Sequence, residues 1–132
     1  MAALPDTVTV VGPYGPNEVA ALMSAIDWVV VPSIWWENSP LVIQEAFQHG
    51  RPVICSGIGG MAEKIGHGIT GLHFRAADPA SLADTIHQAM SSGRLWKKLH
   101  DNIAPVYPMR DHVATLSGLY RKILARQRPG RA

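Results

Sequence analysis

Two glutamates, Glu37 and Glu45, stand on either side of a proline-marked turn, and this stretch carries the residues best suited to chemistry. The apolar run Trp28–Val31 ends at Pro32, and the loop Ser33–Ser39 then leads into a helix start. Ser39 reads as the N-cap and Pro40 as the first helical residue. The first amides of a helix have no partner inside it, so the N–H groups of Ser39, Leu41 and Val42 would point outward. Such a terminus suits an anion, and a phosphate in particular. Glu37 lies just before the turn. Glu45 shares its helix face with the apolar Leu41 and Val42, where a carboxylate needs hydrogen-bond donors. Two sugar hydroxyls would supply them, and so would a neighbouring backbone amide. Spacing alone leaves both readings open.

Other residues offer less. Gly57–Gly60 reads as a loop after a strand, and Gly59 and Gly60 fit a close approach to a sugar or a tight strand-to-helix turn equally well. Trp35 and Trp36 precede Glu37, and their indoles suit a sugar face, a partner, or simple packing of the loop. Glu63 fits a capping or structural role. The six histidines have no metal-ligand spacing, and His49, His67 and His73 read as surface or turn residues. Cys55 closes an apolar strand, which favours a packing thiol over a nucleophile. There is no Asp-x-Asp pair, so no metal or other cofactor is expected.

The elements that must position these residues alternate. Thr7–Val11 is β-branched and ends at Gly12-Pro13, a strand pattern. Asn17 reads as the cap of a helix from Glu18 to about Ala25. Trp28–Val31 and Pro52–Cys55 are short apolar runs of the kind buried on both sheet faces. Between them a helix runs from Pro40 to about His49. Met61–Ile65 reads as a short helix and Leu72–Phe74 as a strand. Asp78-Pro79 opens a helix to Met90, and Arg94 to about Ile103 forms another. A last helix, about Arg110 to Ala125, is expected to bury Val113, Leu116, Tyr120 and Ile123. The fold class is therefore α/β: a parallel sheet of about four strands, flanking helices and a helical C-terminus. Ligands bind beyond the carboxyl ends of such strands, which selects the loops Gly12–Pro16, Ser33–Ser39 and Ser56–Gly60.

Composition narrows the classes. The 132 residues are 47% hydrophobic and 17% charged, enough core for one domain and too apolar for disorder. No window approaches the roughly 18 apolar residues of a membrane span, and no secretory signal is visible. A single cysteine fits a reducing, cytoplasmic setting. Charge is uneven, with −5 up to Met90 and +7 beyond it. The basic C-terminus reads first as a solvated helical face, with contact to the inner face of an anionic membrane as the other option. Few aromatics interleave with it, so no nucleic-acid partner is expected.

Five ordered motifs now carry a resemblance. Val31-Pro32-Ser33, Glu37 to Ala46, Gly50 to Ile54, Gly59 to Glu63 and Gly68 to Leu72 together resemble the family 4 (group 1) glycosyltransferases, retaining enzymes of GT-B architecture. The likeness runs from about Val8 to Met90. It implies that Glu37 lies by the anomeric centre of the transferred sugar. It implies that Glu45 holds the nucleotide's ribose hydroxyls and that backbone amides at Ser39 and Leu41 meet the diphosphate. Tyr14 becomes a candidate contact to the base, or a turn tyrosine that packs locally. Many members carry Phe-Gly-Leu where this chain has Asn38-Ser39-Pro40, and Pro40 removes one backbone donor from the phosphate cradle.

The resemblance also implies that residues 1–132 are a partial C-terminal, donor-binding domain. An acceptor domain and two opening strand–helix units, with their Arg and Lys clamp on the diphosphate, have no counterpart here. Without those central strands, Thr7–Val11 is expected either to pair beside Trp28–Val31 or to leave an exposed edge, which a second copy or a partner chain would cover. The function implied is retaining transfer of a sugar from a nucleotide sugar to an acceptor, with the isolated chain inactive. The alternatives are a non-catalytic fragment that binds a nucleotide or a partner chain, and a GT-B sugar-nucleotide epimerase.

Overall fold

Val53-Ile54-Cys55-Ser56 is the strand around which the other elements are laid. The computed structural model describes residues 5–126, and this strand is buried along its whole length. In chain order the elements are α1 (Val19–Ser24), β1 (Val29–Val31), α2 (Leu41–Gln48), β2 (Val53–Ser56), α3 (Gly59–Lys64), β3 (Gly71–Phe74), α4 (Pro79–Met90), α5 (Gly93–Asp101) and α6 (Met109–Arg126). The strands form one parallel sheet in the order β1-β2-β3, with Val29 opposite Val53 and Val53 opposite Gly71.

Strand periodicity sends alternate β2 residues to opposite faces. Val53 and Cys55 join Met23, Val29, Val31, Ile43, Ala46, Met61 and Ile65, so α1, α2 and α3 cover one face. Ile54 joins Leu72, Phe74, Ala89 and Leu99, so α4 and α5 cover the other. Burial pushes the Cys55 thiol up to about 12, which makes it an inert packing group. The second layer is tied down by polar contacts. Trp96 donates from Nε1 to the Asp27 carbonyl at 2.8 Å and stacks on His100, whose Nδ1–H donates to the Gly50 carbonyl at 2.7 Å. Asp78 caps α4 by accepting from the Ser81 N–H at 2.9 Å, with Pro79 in the first turn, and Ser92 caps α5 through the Leu95 N–H. The Ser81 amide and the Arg75 guanidinium hold the Asp78 carboxyl below its usual range.

Several expectations are corrected. The described sheet has three strands, not about four, because Thr7–Val11 is not a strand. Its valines suit a ladder, but the segment pairs with no strand and is exposed, with only a local Val8 N–H to Pro5 carbonyl bond. Of the two arrangements expected, the structure has the open edge on β1, where Val30 is exposed. Glu18, not Asn17, occupies the N-cap position of α1, and its side chain does not cap the helix. The helix after Pro40 begins at Leu41, with Pro40 itself as N-cap, since its ψ of 122° is not helical. His73 is not a surface histidine. It is half-buried on β3, and its Nε2–H donates to the Ile65 carbonyl at 2.7 Å.

The last helix differs most. No α6 residue is buried, and Val113, Leu116, Tyr120 and Ile123 are 37–57% exposed. Both sheet faces are already covered by α1–α3 and α4–α5, so its apolar stripe finds no open layer to join.

The α3 start also departs from the expected loop, because Gly59 and Gly60 belong to the helix. Gly59 has φ +54°, and a Cβ on Gly60 would overlap the Asn38 carbonyl. Gly60→Ala is therefore expected to cost about 1–3 kcal/mol, whereas Gly118→Ala, in open space on α6, should be neutral or gain up to about 1 kcal/mol. In chemical denaturation Leu99→Ala, in the fully buried second core, should lose about 2–5 kcal/mol, and Leu119→Ala on exposed α6 no more than about 0.5 kcal/mol. Burial, foremost, and the nearby His67 lower the His73 pKa below its ordinary 6.5. Just below that value the unfolded chain binds the proton that the native state refuses, so stability falls as pH falls. His73→Gln, which keeps a donor for Ile65, should flatten this acid slope in thermal melts from pH 7 to about pH 5.

Candidate functional site

The loop that leaves β1 is held against the start of α3 by backbone. The Glu37 carbonyl accepts from the Gly60 N–H at 2.7 Å, and the Glu37 N–H donates to the Trp35 carbonyl at 3.0 Å. Gly60 permits this approach because it has no side chain. Glu37 is half-buried as a result, at the carboxyl end of the sheet. Its Oε1 accepts from Trp35 Nε1–H at 2.7 Å and from Ser33 Oγ–H at 3.3 Å. Ser33 and this use of the Trp35 indole were not evident from sequence, since hydrogen bonds inside an irregular loop leave no periodic signal. Trp36 is 79% exposed on its way past Gly59.

Ser39 and Leu41 sit between the two glutamates, both exposed, at the start of α2. No side chain caps this helix. The Leu41 and Val42 amides enter none of the hydrogen bonds found among the described residues, whereas the Ile43 N–H donates to the Pro40 carbonyl at 3.3 Å and Pro40 has no N–H. The Ser39 hydroxyl accepts from Gln44 Nε2 at 3.4 Å, which keeps it beside the first turn.

Glu45 lies one turn further along α2, half-buried, and lines an open cavity of about 440 Å³. Tyr14, Gly15, Pro16, Val19 and His49 line the same cavity. The Glu45 backbone carbonyl accepts from His49 Nδ1–H at 2.8 Å. Its carboxylate enters none of the side-chain hydrogen bonds or ion pairs found among the described residues. The pairing with a backbone amide that sequence reading left open is thus not made. His49 and Gln48 are further lining residues that sequence reading did not connect with Glu45. Their position follows from the helical turn between 45 and 49.

The sequence-selected residues therefore fall into three groups. Tyr14 and Glu45 share one cavity. Glu37, Gly59 and Gly60 form one backbone-linked cluster. Ser39 and Leu41 join the two through the start of α2. Glu37 does not line the Tyr14–Glu45 cavity. β2 ends at Ser56 and α3 begins at Gly59, whose φ is +54°, so Gly59 and Gly60 stand at the tight strand-to-helix turn that was one of the two readings, and Gly60 also holds the Glu37 loop. At the carboxyl end of β2, the fully buried Ser56 hydroxyl has no hydrogen-bond partner. No group of three or more His, Cys, Asp or Glu residues able to hold a metal occurs among the described residues. No helix among them is long and apolar enough to cross a membrane.

The chain as a whole is similar to known proteins. A family model described as glycosyl transferases group 1 matches residues 1–92. A D-inositol 3-phosphate glycosyltransferase of Corynebacterium glutamicum is 30% identical over 118 residues, covering 87% of this chain and 28% of the relative. The structure of sucrose-phosphate synthase from Thermosynechococcus elongatus superposes with a TM-score of 0.79 at 29% identity, over 92% of this chain and 31% of that one. The Anabaena protein HepE in complex with UDP-glucose superposes with a TM-score of 0.67 at 27% identity, over 76% of this chain and 30% of that one. The chain spans between 17% and 32% of the length of the curated relatives it matches. The α/β architecture, the ordered motifs and the match over residues 1–92 place this chain among the group 1 glycosyltransferases.

Proposed function

We propose that this chain is the donor-binding half of a retaining, family 4 glycosyltransferase of GT-B architecture. The observation that carries the proposal is the Glu45 carboxylate, half-buried and without a protein partner at the wall of a cavity that Tyr14 also lines. A carboxylate in that position calls for donors from a ligand. A ribose offers two hydroxyls, with the base beside Tyr14. The uncapped start of α2 lies on the same helix, where the amides of Ser39 and Leu41 face the diphosphate. Glu37 stands beyond that turn, beside the sugar, and its negative charge stabilises positive charge developing at the anomeric carbon. The structures of HepE with UDP and with UDP-glucose support a nucleotide-sugar donor.

Residues 1–132 act in this reading as the partial C-terminal domain. The acceptor site, and cationic groups that offset the departing diphosphate, belong to parts of the enzyme that the chain does not supply. The isolated chain then binds donor without transferring sugar. No metal takes part, and the location is cytoplasmic.

Thermal denaturation against UDP, GDP, ADP and their sugar derivatives tests the donor site. A ligand at about a hundred times its Kd adds about 2.7 kcal/mol to stability, a rise of several degrees at about 2–8 °C per kcal/mol. The rise should be selective for one base and be lost in Glu45→Ala. A flat response across the panel would overturn the assignment.

A further inference from the structure

The Glu37 carboxylate is fixed at one oxygen and open at the other. Trp35 Nε1–H at 2.7 Å and Ser33 Oγ–H at 3.3 Å both reach Oε1, and no side-chain donor among the described residues reaches Oε2. The contact to Trp35 is short for an N–H donor, as expected when the acceptor is ionised. Trp35 is 63% exposed, so burial does not explain a tryptophan at this position. Its N–H does, because a phenylalanine of similar shape would leave Oε1 with the longer Ser33 contact alone. The backbone anchors already described hold the Glu37 main chain, through Gly60 and through the Trp35 carbonyl. Side chain and main chain are thus pinned by different groups, and both donors to the carboxylate come from within four residues of it.

We propose that Trp35, with Ser33, is a positioning residue for Glu37. It locks the carboxylate rotamer so that Oε2 is presented to the sugar of a bound nucleotide sugar. This inference rests on the donor-site reading above and adds a residue that acts through Glu37 without touching the nucleotide. Its consequence is selective. Loss of the indole N–H should weaken recognition of the sugar and leave recognition of the nucleoside diphosphate unchanged.

The test has two readouts on the full chain. In a proton–nitrogen correlation spectrum the four tryptophans give four indole N–H signals, and the signal missing in Trp35→Phe identifies Trp35. Glu37→Gln should move that signal more than the other three. An unmoved signal would overturn the proposal, and this readout requires no ligand. The second readout compares UDP with UDP-glucose, GDP with GDP-mannose, and ADP with ADP-glucose, using the pair that the wild-type chain binds. Trp35→Phe should weaken the sugar nucleotide about tenfold, the factor carried by a hydrogen bond to a charged group, with no change for the nucleoside diphosphate. In a Glu37→Ala background, which has no acceptor for the indole, the same substitution should cost nothing further. Equal weakening of both ligands would mean that Trp35 only shapes the loop, and would overturn the proposal. If the wild-type chain binds none of the six, the donor-site reading fails and takes the role toward sugar with it. The indole signal then still decides separately whether Trp35 holds Glu37.

Discussion

Burial of β2 on both faces is the constraint from which the rest of this structure follows. A strand with no wet side must be covered by two layers, and its alternating residues divide the molecule between them. Val53 and Cys55 call for α1, α2 and α3 on one side, and Ile54 calls for α4 and α5 on the other. Parallel pairing with β1 and β3 then sends every crossover back across a face, so the loops that leave the strands gather at the carboxyl edge. The central β2 brings the Glu37 loop and the start of α3 to that edge, and the Gly60 N–H to Glu37 carbonyl bond then joins them. Two carboxylates within one loop-and-helix unit would repel, and neither is ion-paired among the described residues.

The site itself is built from two kinds of support. The Glu45 side is a cavity wall, in which a helix places a carboxylate opposite a turn tyrosine and leaves it unsatisfied. The Glu37 side is a knot, in which backbone hydrogen bonds and two side-chain donors determine where one carboxylate lies. The uncapped start of α2 joins them with partial positive charge between two negative groups. In the function proposed above, the Glu45 wall, the start of α2 and the Glu37 knot take the ribose, the diphosphate and the sugar in turn.

Much of this was legible in the residues. Three strands could be read from Trp28–Val31, Pro52–Cys55 and Leu72–Phe74, because short apolar runs bounded by Pro or Gly have few alternatives, although the expected burial on both faces fails at Val30 on the open edge of β1. Asp78-Pro79 marked its helix start because capping is local chemistry. What failed depended on partners. Thr7–Val11 has strand residues and no strand beside it, and α6 has an amphipathic stripe and no layer left to cover. A pattern states what a segment can bury, not what is there to bury it. Gly59 and Gly60 were misplaced because glycine signals conformational freedom without saying how it is used, and here it is used to let two backbones touch. The hydrogen bonds of Trp35 and Ser33 to Glu37 were hidden because a loop has no period to read.

That contact between backbones separates two properties that usually change together. The position of residue 37 is written in Gly60 and in main-chain atoms, whereas its chemistry is written in its own side chain and in Trp35 and Ser33. Substitutions at 33, 35 or 37 can alter what the loop does without moving where it sits. A side chain at 60 would overlap the Asn38 and Glu37 carbonyls and displace the loop as a whole. Main-chain atoms and one glycine thus set the loop's place, while three side chains set the hydrogen bonding at its carboxylate, so the two can vary independently.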